Sequence, residues 1–162
     1  MPLLRSATRD DLLVINEIYN HYVLHSTCTF QTVPSTAEER QMWFDSHGEK
    51  HPVIVAVEQD TVVGWASLSA FHPRQAYEHS VENSVYLRHD WKGNGLGSLL
   101  LKELLVKAKE LGHHTVIGLI DASQEASLAL HAKFGFKECA HLKEVGFKFG
   151  RWLNVIYVQK ML

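Results

Sequence analysis

The stretch Val85-Tyr86-Leu87-Arg88-His89-Asp90-Trp91-Lys92-Gly93-Asn94-Gly95-Leu96-Gly97-Ser98 sets the interpretation of this 162-residue chain. A strand-like alternation ends at Leu87, and three glycines follow between Gly93 and Gly97. A strongly amphipathic segment then runs to Leu111, where Gly112 stops it. Glycines in this place let the backbone turn tightly and aim several N–H groups at one point. The positive end of the following helix dipole faces the same point, which makes the turn a potential phosphate site. It is not a P-loop, because the Gly-Lys-Ser/Thr ending is missing. Nor is it a dinucleotide fingerprint, since Ser98 stands where the third glycine is required. Taken alone, the cluster is equally well read as a flexible turn before a helix.

On the N-terminal side of the glycines, residues 80–87 alternate, with Val81, Val85 and Leu87 on one face and Glu82, Ser84 and Tyr86 on the other. Before them, Pro52–Glu58 and Thr61–Ser69 read as strands joined by a tight Gln59-Asp60 turn. Residues 3–7 are strand-like. Asp10 and Asp11 suit the positive end of a helix whose buried stripe is Leu12, Ile15, Ile18, Tyr19 and Tyr22. After a polar loop from Ser26 to Pro34, Ser35 with Glu38 predicts a capping box opening a second helix that ends near His47-Gly48. Beyond Gly112, Thr115–Ile120 is a short buried strand, and Ser123 is the expected N-cap of a helix to Phe134, stopped by Gly135. Strand-like runs near 136–145 and 152–161, separated by Gly146-Phe147-Lys148-Phe149-Gly150-Arg151, close the chain. The order β-α-α-β-β-β-α-β-α-β-β predicts a mixed α/β sheet rather than a strictly alternating doubly wound one.

Composition narrows the class. The chain is 46% hydrophobic and 21% charged with a net charge of -2, as ordinary globular proteins are, and no basic block suggests nucleic acid or an anionic membrane as partner. No repeat, low-complexity tract or linker interrupts it, so residues 1–162 are expected to form a single domain. The beginning shows no signal-peptide pattern, and no apolar stretch approaches a membrane span. Cys28 and Cys139 read as two reduced thiols. A cytoplasmic location is the expectation.

The segments after the glycine turn give it meaning. Strand, glycine turn, helix, strand and then Ser127-Leu128-Ala129-Leu130-His131-Ala132-Lys133-Phe134-Gly135-Phe136 resembles the acetyl-CoA core of the GNAT superfamily of N-acetyltransferases, over about residues 81–136. The family's Gln/Arg-x-x-Gly-x-Gly turn corresponds to Lys92, Gly95 and Gly97, and its Gly-Phe hallmark to Gly135-Phe136. Lys92 departs from the usual Gln or Arg, and Gln124 stands where an Asn is frequent. A narrower resemblance, to phosphinothricin and methionine-sulfoximine acetyltransferases, rests on several runs. These are Ile18-Tyr19-Asn20-His21, Trp43-Phe44, Arg74-Gln75-Ala76-Tyr77, Val81-Glu82-Asn83-Ser84-Val85-Tyr86 and, most specifically, Val145-Gly146-Phe147-Lys148-Phe149-Gly150-Arg151-Trp152. Asn154 replaces the Asp that the family often has two residues after that Trp.

The resemblance implies a central mixed, mostly antiparallel sheet whose fourth and fifth strands splay apart, with flanking helices. It implies acetyl-CoA as cosubstrate, held by Val85, Tyr86, Leu87, Lys92, Gly93, Asn94, Gly95, Leu96, Gly97, Ser98, Gln124 and Ser127. It also implies a homodimer paired through the C-terminal strands, with Lys148 and Arg151 near the substrate or the partner. Glu82 is the expected general base, since an ammonium has no lone pair until a proton is removed; the alternative is a solvated or ion-paired strand carboxylate. His131 is either the acid that protonates the departing thiolate or a structural histidine. The other histidines show no metal-ligand spacing, so no metal is expected.

Arg74, Tyr77 and Phe30 are the candidates for acceptor binding, Arg74 as a two-pronged anion clamp or merely a solvated loop residue. Cys28 lacks a His/acid pair, which favours direct transfer in a ternary complex over an acyl-cysteine route. The expected acceptor is an amino acid or analogue. A polyamine, an aminoglycoside, a protein N-terminus and a non-catalytic CoA-binding sensor remain the alternatives.

Overall fold

The computed structural model describes all 162 residues. Strands are β1 (Leu3–Ser6), β2 (Val53–Glu58), β3 (Thr61–Ala70), β4 (Ser80–Leu87), β5 (Thr115–Asp121), β6 (Lys137–Lys148) and β7 (Arg151–Met161). Helices are α1 (Leu12–His25), α2 (Ala37–Asp45), α3 (Leu96–Glu110) and α4 (Glu125–Lys133). The strands make one sheet in the order β1-β2-β3-β4-β5-β7-β6, antiparallel except for the parallel β4–β5 pair that α3 connects. This is the expected mixed, mostly antiparallel arrangement. No helix is long and apolar enough to cross a membrane.

Helices on both faces explain the nearly continuous apolar runs of β2 and β3. Val53 to Ala56 are all buried, because inward and outward positions alike meet a helix. On one face, Leu100, Leu101 and Leu104 of α3 are fully buried against Ile54, Ala66 and Val81, with Phe136 closing the layer. On the other, Ile15, Ile18 and Tyr22 of α1 pack on Val53, Val55 and Trp65. The alternation of β4 is thereby divided between two cores. Val81 faces the α3 layer, and Tyr86 packs against the α1 layer.

Local boundaries differ from the sequence expectation in three places. The capping box of α2 is Thr36 with Glu39, one residue later than Ser35 with Glu38. Glu39 N–H donates to Thr36 Oγ1 at 3.1 Å, and Thr36 N–H to Glu39 Oε2 at 2.8 Å. Ser35 is occupied by side chains from α1: its carbonyl accepts from Asn16 and Asn20, and its N–H donates to Asn20 Oδ1. At α4 the N-cap is Gln124, because the Ser123 hydroxyl donates to Asp121 Oδ2 at 2.8 Å instead. The run 146–151 is not a spacer but the end of a long hairpin. β6 continues through Lys148, and the turn is Phe149-Gly150, both at positive φ (53° and 73°), as two-residue hairpin turns of this hand require.

The α2 cap gives a direct test. Thr36→Ala should lower stability by about 1 kcal/mol, the usual cost of losing such a cap, while Ser35→Ala should cost less than half of that. Urea unfolding of both variants measures the difference, and equal losses would contradict the assignment.

Candidate active site

The site begins where two strands part. β4 and β5 pair only at Ser80–Thr115, Val81–Val116 and Glu82–Ile117. On its other edge β4 stays paired with β3 as far as Gly64–Leu87. From Asn83 onward the β5-facing edge of β4 therefore has no strand partner. Tyr22 reaches from α1 to donate its hydroxyl to the Leu87 carbonyl at 2.5 Å. Burial pushes the Tyr22 phenol up to about 12, so it keeps the proton it donates. The gap opens into a cavity of about 1220 Å³, reached by both helical layers.

One end of the cavity is the glycine turn. Gly93 and Gly95 have φ of 83° and 75°, conformations that favour glycine, and a Cβ at either would meet no atom within 4 Å. Gly95 is the N-cap of α3, and no side chain caps the helix. The first helical bond runs from Leu99 N–H to Gly95 O, so the N–H groups of Leu96, Gly97 and Ser98 remain for a ligand. Val85, Tyr86, Leu87, Lys92, Gly93, Gly95, Gly97, Ser98, Gln124 and Ser127 all line the cavity. Asn94 and Leu96 do not. Asn94 is exposed and the Leu96 side chain is buried in the core, which leaves only their backbones for the turn. The Gln124 amide is already engaged, donating to Thr27 Oγ1 at 3.2 Å.

At the fork sit Glu82, Asn83 and His131. Glu82 is half-buried and lines the cavity. Burial, with no partner charge to oppose it, raises its carboxyl above the ordinary range. His131, 4% exposed, donates from Nδ1 to the Ser127 carbonyl at 2.7 Å. Its Nε2 then holds a lone pair, which accepts from Asn83 Nδ2 at 2.9 Å. Burial holds the imidazole below its ordinary pKa, so the neutral form prevails. This tautomer has no proton to offer at Nε2, which removes the basis for treating His131 as a ready acid. Two buried side-chain atoms are left without hydrogen bonds, Asn83 Oδ1 and Trp65 Nε1, and both residues line this cavity.

The opposite end is aromatic and cationic. Arg40 of α2 is 4% exposed and lies 4.6 Å from the ring centres of both Tyr19 and Trp43. Phe30 lines the same end and its ring rests on Gly146, where a Cβ would come within 2.5 Å of it. Lys148 pins the β6–β7 turn to this loop, donating to the carbonyls of Ser26 and Thr29 at 2.7 and 2.8 Å. Arg151 is exposed. Arg74 and Tyr77, in the loop between β3 and β4, are exposed and do not line the cavity of this chain. Burial pushes the Cys28 thiol up, which keeps it protonated and a poor nucleophile.

Sequence reading missed Arg40 and Asn83, although each left a signal. Asn83 is a polar residue at an inward position between Val81 and Val85. Arg40 is a charge three residues before Trp43, on the same helical face.

Comparison with known proteins agrees with this geometry. The model of the Acetyltransferase (GNAT) family matches residues 15–136. An L-methionine sulfoximine/L-methionine sulfone acetyltransferase of Salmonella typhimurium is 34% identical over 98% of this chain and 94% of its own length. The structure of a phosphinothricin acetyltransferase from Sinorhizobium meliloti in complex with acetyl-CoA superposes with a TM-score of 0.96. It is 37% identical and covers 99% of this chain and 88% of that one. A ribosomal-protein-alanine N-acetyltransferase from Brucella melitensis also superposes at 0.96, with 40% identity and 99% coverage of both chains. With its parted strands, uncapped glycine turn and matching family model, the chain belongs to the acetyltransferase (GNAT) family.

Proposed function

We propose that the protein transfers the acetyl group of acetyl-CoA to the primary amine of an amino-acid-like small molecule, with both substrates bound together. The observation that carries this reading is Glu82. A carboxylate made more basic by burial, at the point where β4 and β5 separate, is suited to take a proton from an ammonium.

The residues present fit acetyl-CoA. The uncapped amides of α3 and the open glycine turn suit its pyrophosphate, with Lys92 beside them. The unpaired edge of β4 from Asn83 to Leu87 offers backbone partners to the pantetheine arm. When bound, acetyl-CoA would supply an acyl carbonyl activated as a thioester. The C–S bond breaks as the C–N bond forms, and the thiol leaves with the second proton that the amine gives up on acylation. Glu82 takes the proton that frees the amine lone pair, directly or through a water. A backbone N–H near Tyr86 or Leu87 steadies the charge that develops on the carbonyl oxygen. His131 holds the Asn83 amide in place at the fork rather than protonating sulfur. The protonated thiol of Cys28 supports direct transfer over an acyl-cysteine route.

A protein N-terminal alanine is the second reading, favoured by the likeness to the Brucella melitensis enzyme. A panel assay of thiol release with methionine sulfone, phosphinothricin, polyamines and an alanine-terminated peptide separates the readings. The proposed assembly is a homodimer. Val145, Phe147, Phe149 and Trp152 of the β6–β7 hairpin are all more than half exposed, an apolar surface that a second copy would cover.

Three outcomes are expected. Wild-type kcat/KM should show an acidic limb above the ordinary carboxylate range, because the raised pKa of Glu82 keeps it protonated, and inactive as a base, to higher pH. Glu82→Gln should remove that limb, cut kcat by about 10²–10⁴, and lose less as pH rises and free amine accumulates. Wild-type turnover across the pH range would dismiss Glu82 from the mechanism. The same sign governs stability: Glu82 favours the fold while protonated, and this contribution declines between its unfolded and its raised folded pKa.

In thermal melts, CoA at roughly 100 times its Kd should stabilise the wild type by about 2.7 kcal/mol. Gly95→Ala strains the positive-φ turn and adds a methyl on its open side, and should lose most of this shift. An unchanged shift would place the cofactor elsewhere. Trp152→Glu should convert a dimer to a monomer in light scattering, and a monomeric wild type would refute the assembly.

A further inference from the structure

Arg40 is costly where it stands. The other partnered arginines show what the chain does when a guanidinium needs a counter-charge. Arg5 meets Asp11 at 2.7 Å, and Arg9 and Arg88 meet Asp45 and Asp90 at 2.6 Å. Those pairs lie at or near the surface. Arg40, 4% exposed, has no ion pair, and its one hydrogen bond runs from Nε to Asn16 Oδ1 at 3.0 Å. Glu39, adjacent in sequence, bonds the Thr36 cap through Oε2 and makes no ion pair with Arg40, although its charge is felt there. Burial pulls the Arg40 pKa down, although a guanidinium remains charged.

Aromatic faces make the position tenable. The guanidinium carbon lies 4.6 Å from the rings of Tyr19 and Trp43 and 5.9 Å from that of Trp65. Stacking of this kind supports a cation without satisfying its N–H donors. Neither Nη group bonds another residue and neither is sealed from solvent, so both stay open to a ligand in the cavity that also holds Glu82. A buried guanidinium left unpaired is a strong destabilising element unless a second anion completes it, and its forked donors match a two-oxygen anion. The other buried cation, Lys148, is by contrast satisfied by two carbonyls.

We propose that Arg40 is the anion clamp of the acceptor site, gripping the carboxylate of the incoming amino-acid-like amine. This rests on the acetyl-transfer reading and deepens it. The clamp is built into the wall of the cavity on α2, whereas the exposed Arg74 lies outside that wall. An amine without an anion leaves the guanidinium unpaired, so the site selects acidic acceptors through KM.

The test compares L-methionine sulfone with its methyl ester, which keeps the amine and the sulfone but removes the anion. The enzymes are wild type, Arg40→Lys, Arg40→Gln and Arg74→Ala, and calorimetry with CoA checks that each binds it. The wild type should prefer the acid, and Arg40→Gln should erase roughly 10- to 100-fold of that preference by raising KM for the acid. Arg40→Lys should keep part of it, since charge survives while the fork is lost. A wild type indifferent to the anion, or a preference lost in Arg74→Ala and kept in Arg40→Gln, overturns the proposal.

A second measurement needs no turnover. Trp43 and Trp65 flank Arg40, so L-methionine sulfone added to the CoA-bound wild type should change tryptophan fluorescence saturably, and this response should vanish in Arg40→Gln and weaken in Arg40→Lys. Saturation without acetyl transfer would refute the acetyl-transfer reading and leave the clamp standing. No response in wild type, or the same midpoint in Arg40→Gln, would refute the clamp while leaving acetyl transfer intact.

Discussion

The parting of β4 from β5 after Glu82 and Ile117 governs how everything around it is built. A parallel pair held for only three residues exposes backbone N–H and C=O groups inside the protein, where unpaired polar groups cost free energy. The fold tolerates the fork because each side is held from elsewhere. β3 keeps β4 in register to Leu87, β7 keeps β5 in register to Asp121, and Tyr22 takes up the Leu87 carbonyl. The fork can then stay open for a ligand's amides and carbonyls without collapsing.

Around it, the unsatisfied polar groups gather in one place. Glu82 is buried without a counter-charge, Asn83 Oδ1 has no donor, Trp65 Nε1 has no acceptor, and Arg40 has no carboxylate. Elsewhere the buried polar groups are met: Asp11 by Arg5 and Thr8, and Lys148 by two carbonyls. Proteins depart from local satisfaction where function requires it. Here the departures line a single cavity, with free amides at one end, a carboxyl at the fork and a caged cation at the other.

That arrangement also explains the division of labour between the helical layers. The α3–α4 layer supplies the glycine turn and His131, and both helices fall wholly within the family match. The α1–α2 layer supplies Tyr19, Arg40 and Trp43, which shape the aromatic end. The first layer borders the amide end of the cavity, and the second its aromatic, cationic end.

Sequence alone was enough for the order of elements, the tight Gly93–Gly97 turn before a helix and the alternation that puts Glu82 opposite Val81. Each depends on neighbours within a few residues, through φ preferences, capping or strand period. It misplaced the α2 cap by one residue because Asn16 and Asn20, distant in sequence, already held Ser35. The Ser127 carbonyl, one helical turn away, sets the tautomer of His131, but its pairing with Asn83, 48 residues distant, came from tertiary contact. Chain packing likewise placed Arg40 under three aromatic rings from α1, α2 and β3, and left Arg74 outside the cavity despite its suggestive motif. Local pattern says what a residue is able to bind, whereas the packing of distant segments decides whether its partner is supplied by the chain or left for a ligand.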